Sequence, residues 1–314
     1  MTALENGNMS KICHFTKMAS QKQHISTALK SVICNIETAI SKRPKTLPPV
    51  KPRLVAVTKT KPAEAIISAY ECGQRYFGEN YVHEMVEKVQ NPEILQLSEI
   101  KWHFIGHLQR NKVGKLLTVP NLHVVETVDS TKLAGSLDNG WKRLNKPHPL
   151  KIMIQVNTSQ EENKGGCDPD KIVEIYKFVK ETCINLEVTG LMTIGSFNHD
   201  LSQGPNPDFQ SLYQCREALC REIGINVDQL ELSMGMSADY EHAIESGSTN
   251  IRVGSTIFGS REVKKKVDEP TKTEIKTDPS EPGPIANMSS NDCEEYGAVT
   301  SMSNDLAGLA IGQS

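Results

Sequence analysis

The sequence predicts an α/β fold, a single (β/α)8 barrel of the TIM type behind a leading N-terminal helix, on three observations. Eight apolar runs rich in Val, Ile and Leu recur between residues 54 and 259; helical patterns separate most of them; polar residues gather at their carboxyl ends. A parallel strand buried on both faces reads as a near-continuous apolar run, and such a barrel builds its sites on the upper rim. The competing architecture, a doubly wound open sheet, lacks a GxGxxG after the first run that would support a dinucleotide-binding version.

The elements follow in order. Residues 1–23 are polar and aperiodic, with Met18 available as an alternative start, and are expected to be a disordered extension. A helix is predicted over 25–42, with Ile25, Leu29, Val32, Ile33, Ile36 and Ile40 on one face. The strand-like runs are 54–59, 75–80, 101–107, 122–128, 151–158, 186–195, 231–237 and 250–259. Intervening helices include 62–72, stopped by Gly73, then 170–182, and 208–223, stopped by Gly224. From Lys264 the chain gains Pro270, Pro279, Pro282, Pro284, many Ser and Thr, and an acidic excess, which predicts a disordered tail. The expected division is therefore 1–23 extension, 24–263 barrel and 264–314 tail, the tail being too poor in alternating apolar residues for a second β-domain.

Composition narrows the functional classes. A formal charge of -3 and 38% hydrophobic residues describe a soluble globular chain without a polybasic face, so nucleic acid is not an expected partner. No apolar stretch is long enough for a bilayer, and residues 1–23 lack the apolar centre of a secretory signal. Those residues carry lysines but no arginine, so cytoplasmic residence is expected, with a mitochondrial fraction where the longer start is used. The eight cysteines show no CxxC or metal-like spacing and read as reduced thiols.

The rim carries the chemistry. Lys59 ends the run Leu54-Val55-Ala56-Val57-Thr58, with Pro62 opening a helix behind it. Desolvation lowers the pKa of an amine, and a neutral amine condenses with an aldehyde to a Schiff base. The alternative is a lysine that snorkels to the rim or pairs with a carboxylate. Ser233-Met234-Gly235-Met236-Ser237 and Gly254-Ser255-Thr256 close the last two runs, and small residues with free N–H groups and hydroxyls suit a phosphate. Ser233 to Ser237 can equally be a turn capping a helix near Asp239. Arg252 alternates with Ile251 and Val253, so it points into or out of the barrel, and inside it needs a partner. His103 and His107 are placed on one strand face, as hydrogen-bonded barrel residues rather than a metal pair; no metal is expected. Lys164-Gly165-Gly166 is either an anion loop or a mobile glycine turn.

A Schiff-base lysine, a phosphate nest across the barrel and an arginine between them are the parts that hold pyridoxal 5'-phosphate. The stretches VAVTKTKP, RYFGENYVHE, WHFIGHLQRNK, IQVNTSQEENKGG, GLMTIGSF and LSMGMSADYEHAIESGSTNIRVGSTIFG closely resemble the pyridoxal phosphate homeostasis protein family, over residues 25–262. The resemblance implies the barrel of fold-type III pyridoxal phosphate enzymes, similar to the first domain of alanine racemase. It implies that Lys59 forms the internal aldimine, that Ser233, Gly254 and Ser255 hold the phosphate with Met236 or Ser237 close by, and that Asn80 supports the pocket. Arg252 would face the pyridine nitrogen and restrain carbanion chemistry. Thr58 precedes the lysine where serine is commoner in the family.

Alanine racemase uses a second acid/base from an additional β-domain, so a single barrel with an open cofactor face is expected to carry rather than turn over. The expected function is pyridoxal phosphate binding in vitamin B6 homeostasis, with delivery to pyridoxal-phosphate-dependent apoenzymes. The alternative is an enzyme with weak racemase or lyase activity. Monomer and weak homodimer both stay open, as does a cofactor contact from Lys164.

Overall fold

The computed structural model describes residues 3–161, 164–196, 199–204 and 206–260, all inside one compact unit spanning Met1–Val263. The tail predicted from residue 264 lies outside the described residues. The chain runs α1 (Ala3–Lys42), β1 (Arg53–Val57), α2 (Ala63–Glu71), β2 (Tyr76–Glu79), α3 (Val82–Val89), α4 (Pro92–Leu95), β3 (Lys101–Phe104) and α5 (Val113–Leu116). It continues β4 (Leu122–Val128), α6 (Thr131–Arg143), β5 (Leu150–Gln155), α7 (Ile172–Thr182), β6 (Leu186–Met192), α8 (Pro207–Ile223), β7 (Glu231–Ser233), α9 (Tyr240–Glu245), β8 (Asn250–Val253) and α10 (Ser255–Phe258). The eight strands close a parallel barrel in chain order, with β8 returning to β1 through Leu54↔Ile251 and Val55↔Arg252. No described helix is long and apolar enough to cross a membrane.

The predicted alternation is present, with two corrections. Except for β4, every strand ends short of its predicted carboxyl end: β1 at Val57 rather than residue 59, β7 at Ser233 rather than 237, β8 at Val253 rather than 259. Interstrand bonds persist for about one residue past the strand ends, as from Thr58 N–H to the Gly78 carbonyl (3.0 Å) and from Met234 N–H to the Asn250 carbonyl (3.1 Å), and turns then take over the backbone groups. Lys61 N–H donates to the Thr58 carbonyl (3.0 Å) and Tyr240 N–H to the Met236 carbonyl (2.9 Å).

The other correction concerns α1. It begins at Ala3, so the stretch expected to be a disordered extension through residue 23 is helical backbone. The reason is the lack of a breaker: no proline occurs before Pro44, and an isolated glycine such as Gly7 is tolerated in a helix at a cost of roughly 1 kcal/mol. Its buried stripe is Ile25, Leu29, Val32, Ile36 and Ala39, while Ile33 is 43% exposed and Ile40 half-buried. A four-three spacing keeps one face of a 3.6-residue helix inward, and Ile33 falls one residue off it. That face packs on α2, α9 and α10, across the β8–β1 seam, where the Asn35 side-chain amide donates to the Tyr240 hydroxyl (3.0 Å).

Phe77, Trp102, Phe104, Phe209 and Leu137 belong to the large core between barrel and helices. A separate small cluster is formed by Val124, Met153 and Met192 with Ile194 packed against it. Polar side chains cross the barrel interior as well: Glu126 on β4 reaches Ser233 on β7 and Asn250 on β8, strands that are not its neighbours.

Candidate functional site

The carboxyl ends of β1, β2, β7 and β8 open into a cavity of about 400 Å3 lined by Lys59, Asn80, Met236, Ser237, Arg252, Gly254 and Ser255 together with the apolar Val57, Ile105, Met192 and Ile194. Its size falls in the range of small-molecule sites, roughly 300–1,000 Å3. Lys59 stands in the turn that leaves β1, between Thr58, whose N–H donates to the Gly78 carbonyl (3.0 Å), and Thr60, which is left-handed at φ 62°.

The opposite wall comes from β7 and β8. Ser237 Oγ accepts the Gly254 N–H (3.0 Å) and keeps its own proton to donate. Ser255 and Thr256 begin α10, and the first N–H groups of a helix have no intrahelical acceptor. Gly254 sits so close to β1 that a Cβ there would stand 3.2 Å from the Val57 carbonyl oxygen. On the β2 side a Cβ at Gly106 would stand 1.8 Å from the Asn80 carbonyl oxygen, so glycine is required for the backbones to meet. Asn80 Oδ1 is buried with no hydrogen-bond partner.

Arg252 points inward and is buried. Its Nη1 donates to Ser233 Oγ (2.6 Å) and its Nη2 to the Thr193 carbonyl (2.7 Å). Ser233 Oγ donates in turn to Glu126 Oε2 (2.5 Å), whose other oxygen meets His103 Nδ1 (2.5 Å) and Asn250 Nδ2 (3.0 Å). Burial lowers the guanidinium pKa, against the charges of Glu126 and Asp239 that favour the cation. Burial raises the Glu126 carboxyl, yet His103, Arg252 and Ser233 outweigh it and hold the group at about 2. The arginine is thus a fixed cation at the cavity wall with a carboxylate one hydroxyl behind it.

Of the residues read from sequence, Lys59, Asn80, Met236, Ser237, Arg252, Gly254 and Ser255 share this cavity, whereas Ser233 does not line it. Its fully buried hydroxyl bonds Arg252 and Glu126, where it fixes Arg252, and does not stand at the cavity wall where a phosphate role was expected. His103 and His107 do not share a face: β3 ends at Phe104, His103 bonds inside the barrel, and His107 is exposed. Among the described residues no group of three or more His, Cys, Asp or Glu could hold a metal. Lys164 lies beyond β5 and donates to Glu161 (2.7 Å) and to the Gly195 carbonyl (2.8 Å).

Several participants escaped the sequence reading. Glu126 was detectable as a lone carboxylate inside the apolar run LHVVETV. Lys88, which bonds Thr58, Glu79 and Glu84, looked like an ordinary helix pair at i, i+4. Thr193 enters through its carbonyl, which no side-chain pattern reveals.

Barrel and rim together define the alanine racemase N-terminal class of fold, and the model of that family, "Alanine racemase, N-terminal domain", matches residues 34–262. The pyridoxal phosphate homeostasis protein of Homo sapiens is 57% identical over 243 residues, 77% of this chain and 88% of that protein. The chain belongs to the pyridoxal phosphate homeostasis protein family. Among solved structures, PipY of Synechococcus elongatus with PLP bound is 31% identical with a TM-score of 0.60, covering 75% of this chain and 100% of that one. Alanine racemase of Clostridium difficile, 14% identical with a TM-score of 0.55 over 74% of this chain and 57% of that one, shares the fold alone.

Proposed function

We propose that this protein binds pyridoxal 5'-phosphate in the rim cavity and serves vitamin B6 homeostasis, holding the cofactor through Lys59 and passing it to apoenzymes. The observation that carries this reading is the placement of Lys59, the Ser237–Gly254–Ser255 wall and Arg252 around one cavity, with the PLP-bound PipY among the similar structures. The residues fit the group: a rim amine for the aldehyde, hydroxyls and helix-opening N–H groups for the phosphate, and an unpartnered buried Asn80 oxygen. Lys59 Nζ would supply the amine that condenses with the aldehyde carbon and expels one water, and release would be the reverse reaction, a hydrolysis, so neither direction needs a reactant other than water.

A carrier is favoured over an enzyme by the lining. Among the described residues that line the cavity there is no His, Tyr, Cys or carboxylate, and the second lysine there, Lys61, donates to the Ser260 carbonyl (2.9 Å). The test is the visible spectrum of the full-length protein with pyridoxal 5'-phosphate, before and after borohydride, for wild type and Lys59→Ala. The expected result is a reducible band in the wild type that is lost in the variant, while the variant's thermal melt without cofactor is unchanged. A band that persists in Lys59→Ala would move the covalent contact to another lysine, and its absence from both proteins would reject the reading.

A further inference from the structure

We propose that Lys88 is the positioning residue of the Lys59 turn, holding the peptide groups on both sides of Lys59 from one buried ammonium. The inference rests on the reading that Lys59 takes the cofactor. Lys88 rises from α3 and is 8% exposed. Its Nζ donates to the Thr58 carbonyl (2.7 Å), to Glu79 Oε1 (2.7 Å) and to Glu84 Oε1 (2.6 Å). Glu84 Oε1 accepts the Thr60 N–H (2.5 Å), and Glu79 Oε1 accepts the Thr58 hydroxyl (2.7 Å). Residue 58 is therefore tethered by carbonyl and hydroxyl, residue 60 by its amide, and Lys59 hangs between them.

Backbone strain explains why such a tether is needed. Thr60 is β-branched and left-handed at φ 62°. That conformation is costly for a β-branched residue and persists only where the surroundings over-determine it. Without the tether the turn relaxes toward an extended backbone, which swings the Lys59 Cα and the direction of its side chain. Lys88 is among the lining of another cavity, shared with Glu84, Glu87 and Asn91, and does not line the cofactor cavity; Thr60 and Lys61 line both. It acts through the turn wall and touches no reacting atom.

The experiment uses the full-length protein as wild type, Lys88→Met and Glu84→Ala, with two readouts. In the unliganded protein, amide hydrogen exchange of the 58–61 turn is expected to quicken at least tenfold in both variants while β4 and β5 keep their protection. With pyridoxal 5'-phosphate, the fraction of bound cofactor that borohydride fixes at Lys59 is expected to fall severalfold, more than total binding measured by equilibrium dialysis. A purely stabilising role would lower total binding and melting temperature together and leave that fraction unchanged. Should Lys88→Met fail to fold, Lys88→Gln takes its place with the same expected quickening, because Glu84→Ala frees the Thr60 N–H directly and cannot test Lys88 alone. Unchanged turn exchange in a folded variant overturns the proposal. If the wild type fixes no cofactor at Lys59, the reading of the site fails, and the exchange readout still judges the tether.

Discussion

Two buried carboxylates in this barrel respond to pH in opposite directions, and each traces to its neighbours. Glu126 is held at about 2 because His103, Arg252 and Ser233 favour its anion more than burial opposes it. A depressed pKa contributes stability above the ordinary carboxylate value, lost as pH falls through the folded value, here a window from 4.5 down to about 2. Glu79 is pushed up to about 6, burial outweighing Lys88 and Thr58. The native state then keeps a proton that the unfolded chain releases, so its contribution is whole below 4.5 and lost as pH rises through about 6. At 1.36 kcal/mol per pH unit the two contributions are on the order of 3 and 2 kcal/mol. Urea melts from pH 3 to 7 should show that Glu79→Gln removes the decline between 4.5 and 6. In the same series Glu126→Gln should flatten the acid limb and lower stability near neutrality, since His103, Arg252 and Ser233 lose their anion. Retention of both slopes in the variants would reject these assignments.

At the scale of elements, the barrel was legible because alternation of apolar runs and helical patterns is a property of the whole chain. What stayed illegible has local causes. Rim residues beyond the strands, such as Met236 after β7 and Ile257 after β8, continue an apolar pattern where the backbone has already turned, so strand ends were read too long. Residues 3–23 carry no apolar periodicity, so their helical backbone left no signal of that kind in the sequence. Parity told that Arg252 opposes Ile251 but could not choose the inside; that depends on Glu126 and Ser233 arriving from β4 and β7. The corrected face of α1 makes a sharp contrast. Leu29→Ala, deep in the stripe, should cost about 2–5 kcal/mol in urea unfolding, whereas Ile33→Ala should stay within about 0.5 kcal/mol of wild type. Similar losses for both would return Ile33 to the buried face.

The whole molecule places its site beside its most sparsely registered strand pair. β7 and β8 share a single register pair, Ser233↔Asn250, against six between β5 and β6. Yet the cavity draws Met236 and Ser237 from beyond β7, Arg252 and Ser255 from β8 and its exit, and Lys59 from beyond β1. A ligand gripped at one end by Lys59 and at the other by the β7–β8 loops would tie β1 to both strands of that sparsely paired junction. Binding to the native state alone adds RT ln(1 + [L]/Kd), about 2.7 kcal/mol at a hundredfold excess over Kd. That free energy should not be spread evenly. Amide exchange with and without saturating pyridoxal 5'-phosphate should slow most at residues 233–237 and 250–256, with little change at β4 and β5 beyond the global increment. In Lys59→Ala the phosphate grip on the β7–β8 loops remains but the link to β1 is lost, so the local slowing should shrink together with the rise in melting temperature. Uniform protection, or slowing that is the same without Lys59, would mean that the cofactor does not tie β1 to these loops.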